Sequence, residues 1–346
     1  MPDLPPDTSS PVGFGEILQQ IREWCRRNPL QAGLVLLIVG AVVYFFGFFP
    51  AYLNGSMSAL RWARGAWDMP ENNQEHSYLV IPIAIFLVWY HRDELAGVRK
   101  EPWNPGLWLV ALGVGSYVLA VRTLQPRFAL FALPVVLLGA VSYLWGRATA
   151  RVVLFPCAFL LFMVPIGGIV QGTVSLQILV SSICNALASV IGMKIEASGT
   201  TIRSLDGSFN FEIAEGCSGI RSLMAMTMLT ALYVHFTQRE WWKKGLIFAG
   251  SLVFAVIGNV GRIFTVILFA KFVSPRLAGG IYHDYSAFIF FPIAVLAMVS
   301  FARAVNLDWR AIFSQRMEPV QPEAEVPDPS AKGEARKSPS PVSYDY

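Results

Sequence analysis

The stretch KKGLIFAGSLVFAVIGNVGRIFTVILFAKF, Lys243 to Phe272, decides the fold. Between its flanking lysines the one charged residue is Arg262. A bilayer crossing takes about 20 apolar residues, and the run from 245 to 270 supplies them. Counted from Lys244 at about 1.5 Å per residue, Arg262 sits roughly 27 Å along the helix, close to the far boundary. A guanidinium at that depth is costly unless it faces a polar site, so the run predicts both a membrane helix and a place for chemistry.

The rest of the chain agrees. Its 346 residues are 54% apolar and 14% charged, with a mean hydropathy of +0.50. That profile belongs to a polytopic integral membrane protein that is essentially all-α. The net charge of +4 is dispersed among the apolar runs, with no basic stripe of the kind nucleic acid requires. The four cysteines, Cys25, Cys157, Cys184 and Cys217, form no CxxC pair, and the four histidines have no ligand spacing. Neither a metal nor a cofactor is expected. A disulfide between Cys184 and Cys217 stays open at this level.

Eight apolar runs are expected to span, at about 31–53, 77–91, 107–121, 128–145, 152–170, 218–237, 245–270 and 285–304. The first has no small-residue cleavage site after it and reads as a retained signal anchor. Residues 1–30 read as a cytoplasmic segment with an interfacial helix, in which Phe14, Ile17, Leu18, Ile21 and Trp24 recur at helical spacing. Residues 31–305 form the membrane domain, and 306–346, rich in Pro, Glu, Ser and Lys, a disordered cytoplasmic tail. The distribution of Arg and Lys among the loops places both termini inside. The segment 173–193 is read as an amphipathic helix on the outer face, with Leu179, Val180, Ile183 and Leu187 on one side and Gln177, Ser181 and Ser182 on the other. KIEASGTTIRSLDGSFNFEI, 194–213, reads as a β-hairpin turning at Asp206-Gly207.

That topology gathers three polar groups at the outer boundary. Cys217, in EGCSGIRSL, precedes the sixth span, where a helix N-terminus favours thiolate. Arg221 follows one turn later as a nearby cation. Arg262 brings a planar fork suited to an oxyanion or carboxylate. His283, in IYHDYSAF, can hold or deliver a proton. Glu215 either caps the sixth helix or orients a histidine, and the cap is favoured.

EGCSGIRSL at 215–223, NVGRI at 259–263 and His283 together resemble the three motifs of the exosortase/archaeosortase family, over about 76–305. The resemblance implies an eight-span membrane enzyme with Cys217 as nucleophile, Arg262 as the oxyanion- or substrate-positioning cation, and His283 as general acid/base. It also implies its substrates. These are exported proteins ending in a short motif such as Pro-Glu-Pro, a transmembrane helix and a basic cluster, cleaved near the motif with transfer to an acceptor. The implied setting is the bacterial inner membrane, with the site on the extracytoplasmic face. Where many relatives have Ser-His-Gly-x-Leu-x-Pro entering the second span, this chain has EHSYLVIP, a difference that bears on which signal is recognised.

Two other function classes remain beside this cysteine peptidase or transpeptidase. One is a transporter or assembly scaffold with Arg262 and His283 along a path, although no internal repeat is visible and the polar groups cluster at one face. The other is a thioester-forming acyltransferase acting on lipid.

Overall fold

The structure, a computed structural model, describes residues 14–53, 55–69, 72, 74–165, 170–212 and 219–307. Cys217 and Glu215 lie outside the described residues, as does the tail beyond 307. The chain divides after Ala302; of the second unit only 303–307 is described, and it completes the last helix.

The amphipathic helix α1 (Phe14–Arg27) leads into α2 (Pro29–Val42), which continues as a π-helical turn to Phe48. Next come α3 (Ala59–Trp67) and a 3-10 turn (Glu75–Leu79), which runs into α4 (Val80–Tyr90). After α5 (Arg92–Gly97) and α6 (Gly106–Arg122), the long α7 (Pro126–Phe159) breaks at Gly146, whose φ of 90° suits glycine alone. The expected span 128–145 lies before this break, and the described part of 152–170 begins after it, with a 3-10 turn over Leu160–Met163. α6 lies very close to the first arm: a Cβ on Gly113 would come within 2.5 Å of Val136 and one on Gly139 within 2.6 Å of the Val110 nitrogen. Such small-residue contacts are how helices associate when lipid, not water, surrounds them.

Helix α8 (Val170–Val190) precedes a three-stranded antiparallel sheet of β1 (Ile195–Ser198), β2 (Thr201–Ser204) and β3 (Asn210–Glu212). The expected single hairpin is therefore two. The second turns at Asp206-Gly207 as read, and the first at Gly199-Thr200 between the paired Ser198 and Thr201. Gly199 takes a φ of 62°, the pattern of a tight hairpin with glycine first in the turn. Then follow α9 (Ile220–Thr237), α10 (Trp241–Phe272), the single turn α11 (Pro275–Leu277), a π-helical stretch over Ala278–Tyr282, and α12 (His283–Asn306).

Among the described residues four helices, not eight, are long and apolar enough to cross a membrane: Pro29–Phe48, Pro126–Met163, Trp241–Phe272 and Tyr285–Asn306. Glu75–Tyr90, Gly106–Arg122 and Val174–Val190 are shorter apolar helices. The expectation of eight spans is not confirmed. The second and third runs fold as short helices, the fourth and fifth are separated only by the break at Gly146, and α9 is diluted by Arg221, Thr227, Thr230 and His235. The outward surface is nonetheless strongly apolar, with Leu36 of α2 and Leu296 of α12 more than half exposed, as a lipid-facing surface would be.

In helix α8 the two faces read from the sequence are resolved into a buried and an outward one. Gln177, Val180, Ser181, Cys184 and Ala188 are buried, while Ile178, Leu179, Leu187 and Val190 face outward. The small and polar stripe is the one that packs on protein. In water that would be inside out, whereas beside lipid it is the favourable arrangement. Val180, Cys184 and Ala188 meet Val260, Ile263 and Ile267 of α10 together with Ile202 of β2 and Phe209 just before β3.

Candidate active site

The site is built where the start of α9, the middle of α10 and the start of α12 meet. Helix α9 begins at Gly219, with φ 80° and ψ −4° in the left-handed region. A side chain there would be strained and would also have no room: a Cβ would lie 2.7 Å from Asn259 Nδ2 and 2.8 Å from its Cγ. Asn259, almost wholly buried on α10, is therefore the surface on which the helix start rests. The Ser222 hydroxyl closes this first turn by donating to the Gly219 carbonyl at 2.9 Å.

One turn beyond Asn259, Arg262 reaches across to α12. Its Nε donates to the Ser286 hydroxyl at 3.1 Å, and a terminal nitrogen donates to the His283 carbonyl at 3.1 Å. Ser286, fully buried, donates in turn to the same carbonyl at 2.9 Å. Three bonds thus close a triangle that fixes the plane of the guanidinium. Among the described residues these bonds use two of its five N–H donors. The cleft beside it, about 30 Å³ and room for roughly one water, is lined by Ser222, Gly258, Asn259, Arg262, Phe290 and Ala294. It is open at one side to an otherwise apolar surface.

The sequence-derived residues come together only in part. Arg262 and His283 are joined through the His283 backbone, with the imidazole itself half-buried. Arg221 points to the turn before α4 and pairs with Glu75 at 3.2 Å, both side chains about half exposed. Cys217, the residue expected as nucleophile, and Glu215 precede Gly219 in sequence and lie outside the described residues. Cys184, which composition left open as a disulfide partner, is a free, fully buried thiol that donates to the Val260 carbonyl at 3.8 Å.

The sheet is tied to the same helix. Lys271, near the end of α10, donates to the Asp206 carboxylate at the second hairpin turn. The Ser204 hydroxyl and the Ser208 amide also donate to Asp206. Lys271 first, then the two serines, hold the Asp206 carboxyl well below the usual carboxylate range. The strand that leaves this hairpin, β3, is the one that leads toward residue 217.

Sequence reasoning had passed over four residues of the site. Ser286 lies one helical turn after His283, a spacing that HDYS displays. Asn259 was quoted within NVGRI without a role, Ser222 within EGCSGIRSL, and Glu75 within EHSYLVIP. For Glu75 nothing local could have pointed to Arg221, which is 146 positions away in sequence.

The family model described as transmembrane exosortase (Exosortase_EpsH) matches residues 62–300. No curated protein and no solved structure matches the chain.

Proposed function

This chain belongs to the transmembrane exosortase family, and from that footing we propose that it is a membrane cysteine peptidase or transpeptidase. Its substrates would be exported proteins carrying a C-terminal short motif, transmembrane helix and basic cluster. The substrate helix would approach through lipid and bring its motif to the junction of α9, α10 and α12, on the extracytoplasmic side of a bacterial inner membrane. No cofactor enters the reaction.

In this reading the Cys217 thiolate attacks the scissile carbonyl. The carbon–sulfur bond forms, the peptide carbon–nitrogen bond breaks, and His283 supplies the proton that the departing amine needs. An incoming amine or water then attacks the thioester and releases Cys217, with His283 taking the proton back. Arg262 presents its remaining donors to the oxyanion of each tetrahedral intermediate. Arg221 adds positive charge near the thiol and favours its ionised form.

The observation that supports this most is the Arg262–Ser286–His283 triangle beside the start of α9. A fixed guanidinium and a histidine stand on one junction with the helix that begins two residues after Cys217. The direct test is the length of a tagged substrate in membranes with and without the enzyme. Shortening should require Cys217 and vanish in Cys217→Ala at equal enzyme level; shortening that survives the substitution would end the proposal.

A further inference from the structure

At the other end of α9, fourteen residues from Arg221, two histidine rings face one another. His235 Nε2 stands 3.4 Å from His91 Nε2, bridging the last turn of α9 and the residue that closes α4. His91 Nδ1 lies 2.8 Å from the Leu87 carbonyl. A carbonyl only accepts, so that nitrogen carries the ring proton and His91 Nε2 presents a bare lone pair to His235. Both rings are held in place. His235 stacks flat on Phe155 at 3.8 Å, and Tyr90 meets His91 edge-on at 5.2 Å.

We propose that His91 and His235 form a two-histidine site for a divalent transition-metal ion such as zinc. The distance is the first argument. Two imidazole nitrogens at the zinc–nitrogen length of roughly 2.0–2.1 Å and a tetrahedral angle stand about 3.3–3.4 Å apart. The second is the backbone carbonyl on His91 Nδ1, the outer contact that fixes the tautomer of a metal-binding imidazole. The third is position: both rings sit at helix C-termini, where the macrodipole favours positive charge. Imidazole nitrogens select zinc, copper or nickel over magnesium and calcium, which prefer oxygen.

Two features bound the affinity. Among the described residues no third histidine, cysteine or carboxylate joins the pair, so water completes the shell. Lys244 at the start of α10 places a like charge near His235. The site is thus one that loads and empties with metal supply. Its structural effect follows from the fold. The α4 segment and α9 are already paired at one end through Glu75 and Arg221. A metal at the opposite end would brace the helix that begins at the cleft, without touching the reacting groups.

The test is zinc titration of the full-length protein in detergent, read by calorimetry and by thermal unfolding. His91→Ala and His235→Phe, the latter keeping an aromatic ring against Phe155, serve as comparators. Wild type should bind one zinc at sub-millimolar concentration with a raised unfolding temperature. Each substitution should weaken that binding roughly tenfold or more. If a variant fails to insert, zinc protection of His91 and His235 from carbethoxylation, mapped in wild type, answers the same question. Unchanged zinc binding in both variants, or no protection of either ring, would overturn the assignment.

Discussion

The Arg262 guanidinium donates to the backbone carbonyl of His283 at 3.1 Å, so the histidine is located by the arginine through its main chain. That contact with Arg262 is carried by the backbone of His283. Lysine cannot reproduce this. A point ammonium lacks the planar fork that meets Ser286 and His283 together. Arg262→Lys is therefore expected to insert at normal levels and to lose roughly 100-fold in processing rate, the scale for losing a preorganised oxyanion donor. Normal turnover in a well-inserted Lys variant would reduce Arg262 to a snorkelling cation.

Ser286→Ala should separate positioning from chemistry. It removes the buried hydroxyl that Arg262 Nε donates to, a cost of about 1 kcal/mol where the guanidinium is itself only partly buried. The unfolding temperature in detergent should fall. Turnover should fall with it but remain measurable, because the bond from Arg262 to the His283 carbonyl survives. Ser286→Thr keeps the hydroxyl and should recover most of the loss, if the added methyl is accommodated.

Gly219 tests how α9 is seated. Alanine there meets two penalties, a left-handed backbone worth about 1–2 kcal/mol and the contact with Asn259 at 2.7 Å. Gly219→Ala should therefore lower both stability and processing sharply. Asn259→Ala in the same chain removes the clash but not the backbone cost, so the pair should be less damaging than the sum of the singles. Strict additivity in a double-mutant cycle would show that the two residues do not press on each other.

These residues also show what the sequence could convey. Arg262 announced itself, because one cation in a long apolar run has few bland explanations. The nearness of His283 to Arg262 was legible by depth, whereas the pairing of Arg221 with Glu75 was not. The lengths and breaks of the helices were not legible, because apolarity marks a helix without fixing either, and Gly146 interrupts α7 with a single residue. Helix α8 was legible only in part. Periodicity gives two faces but not which one meets protein, and beside lipid the small, polar face turns inward. The Glu75–Arg221 and His91–His235 contacts depend on α4 lying against α9, a tertiary fact without a local signature.

Acid should loosen the sheet before the helices. The folded Asp206 carboxyl titrates below its ordinary value, so its anchoring contribution is fully present above the ordinary range near 4 and is lost as pH falls through the lowered one. Amide exchange over 201–212 should rise at acid pH in wild type. In Asp206→Asn it should already be raised at neutral pH and change little with acid. Equal acid sensitivity in both proteins would mean that Asp206 and Lys271 do not hold the hairpin to α10.

The Glu75–Arg221 pair distinguishes a tether from an electrostatic role. With both side chains about half exposed, the pair itself is worth at most about 1 kcal/mol in water. Glu75→Gln should then leave insertion and stability close to wild type and keep the Arg221 charge, so processing should be largely retained. Arg221→Gln removes that charge four residues from Cys217 and should slow processing if the charge supports the thiolate. The swap Glu75→Arg with Arg221→Glu restores the ion pair in reverse. As a tether it should work again; as a charge beside the thiol it should be worse than Arg221→Gln, because a carboxylate now opposes ionisation. The expected order of processing rates is wild type, Glu75→Gln, Arg221→Gln, and the swap last, measured on one tagged substrate at matched enzyme levels. Wild-type processing by the swapped protein would show that Arg221 serves only to hold α9 against the turn before α4.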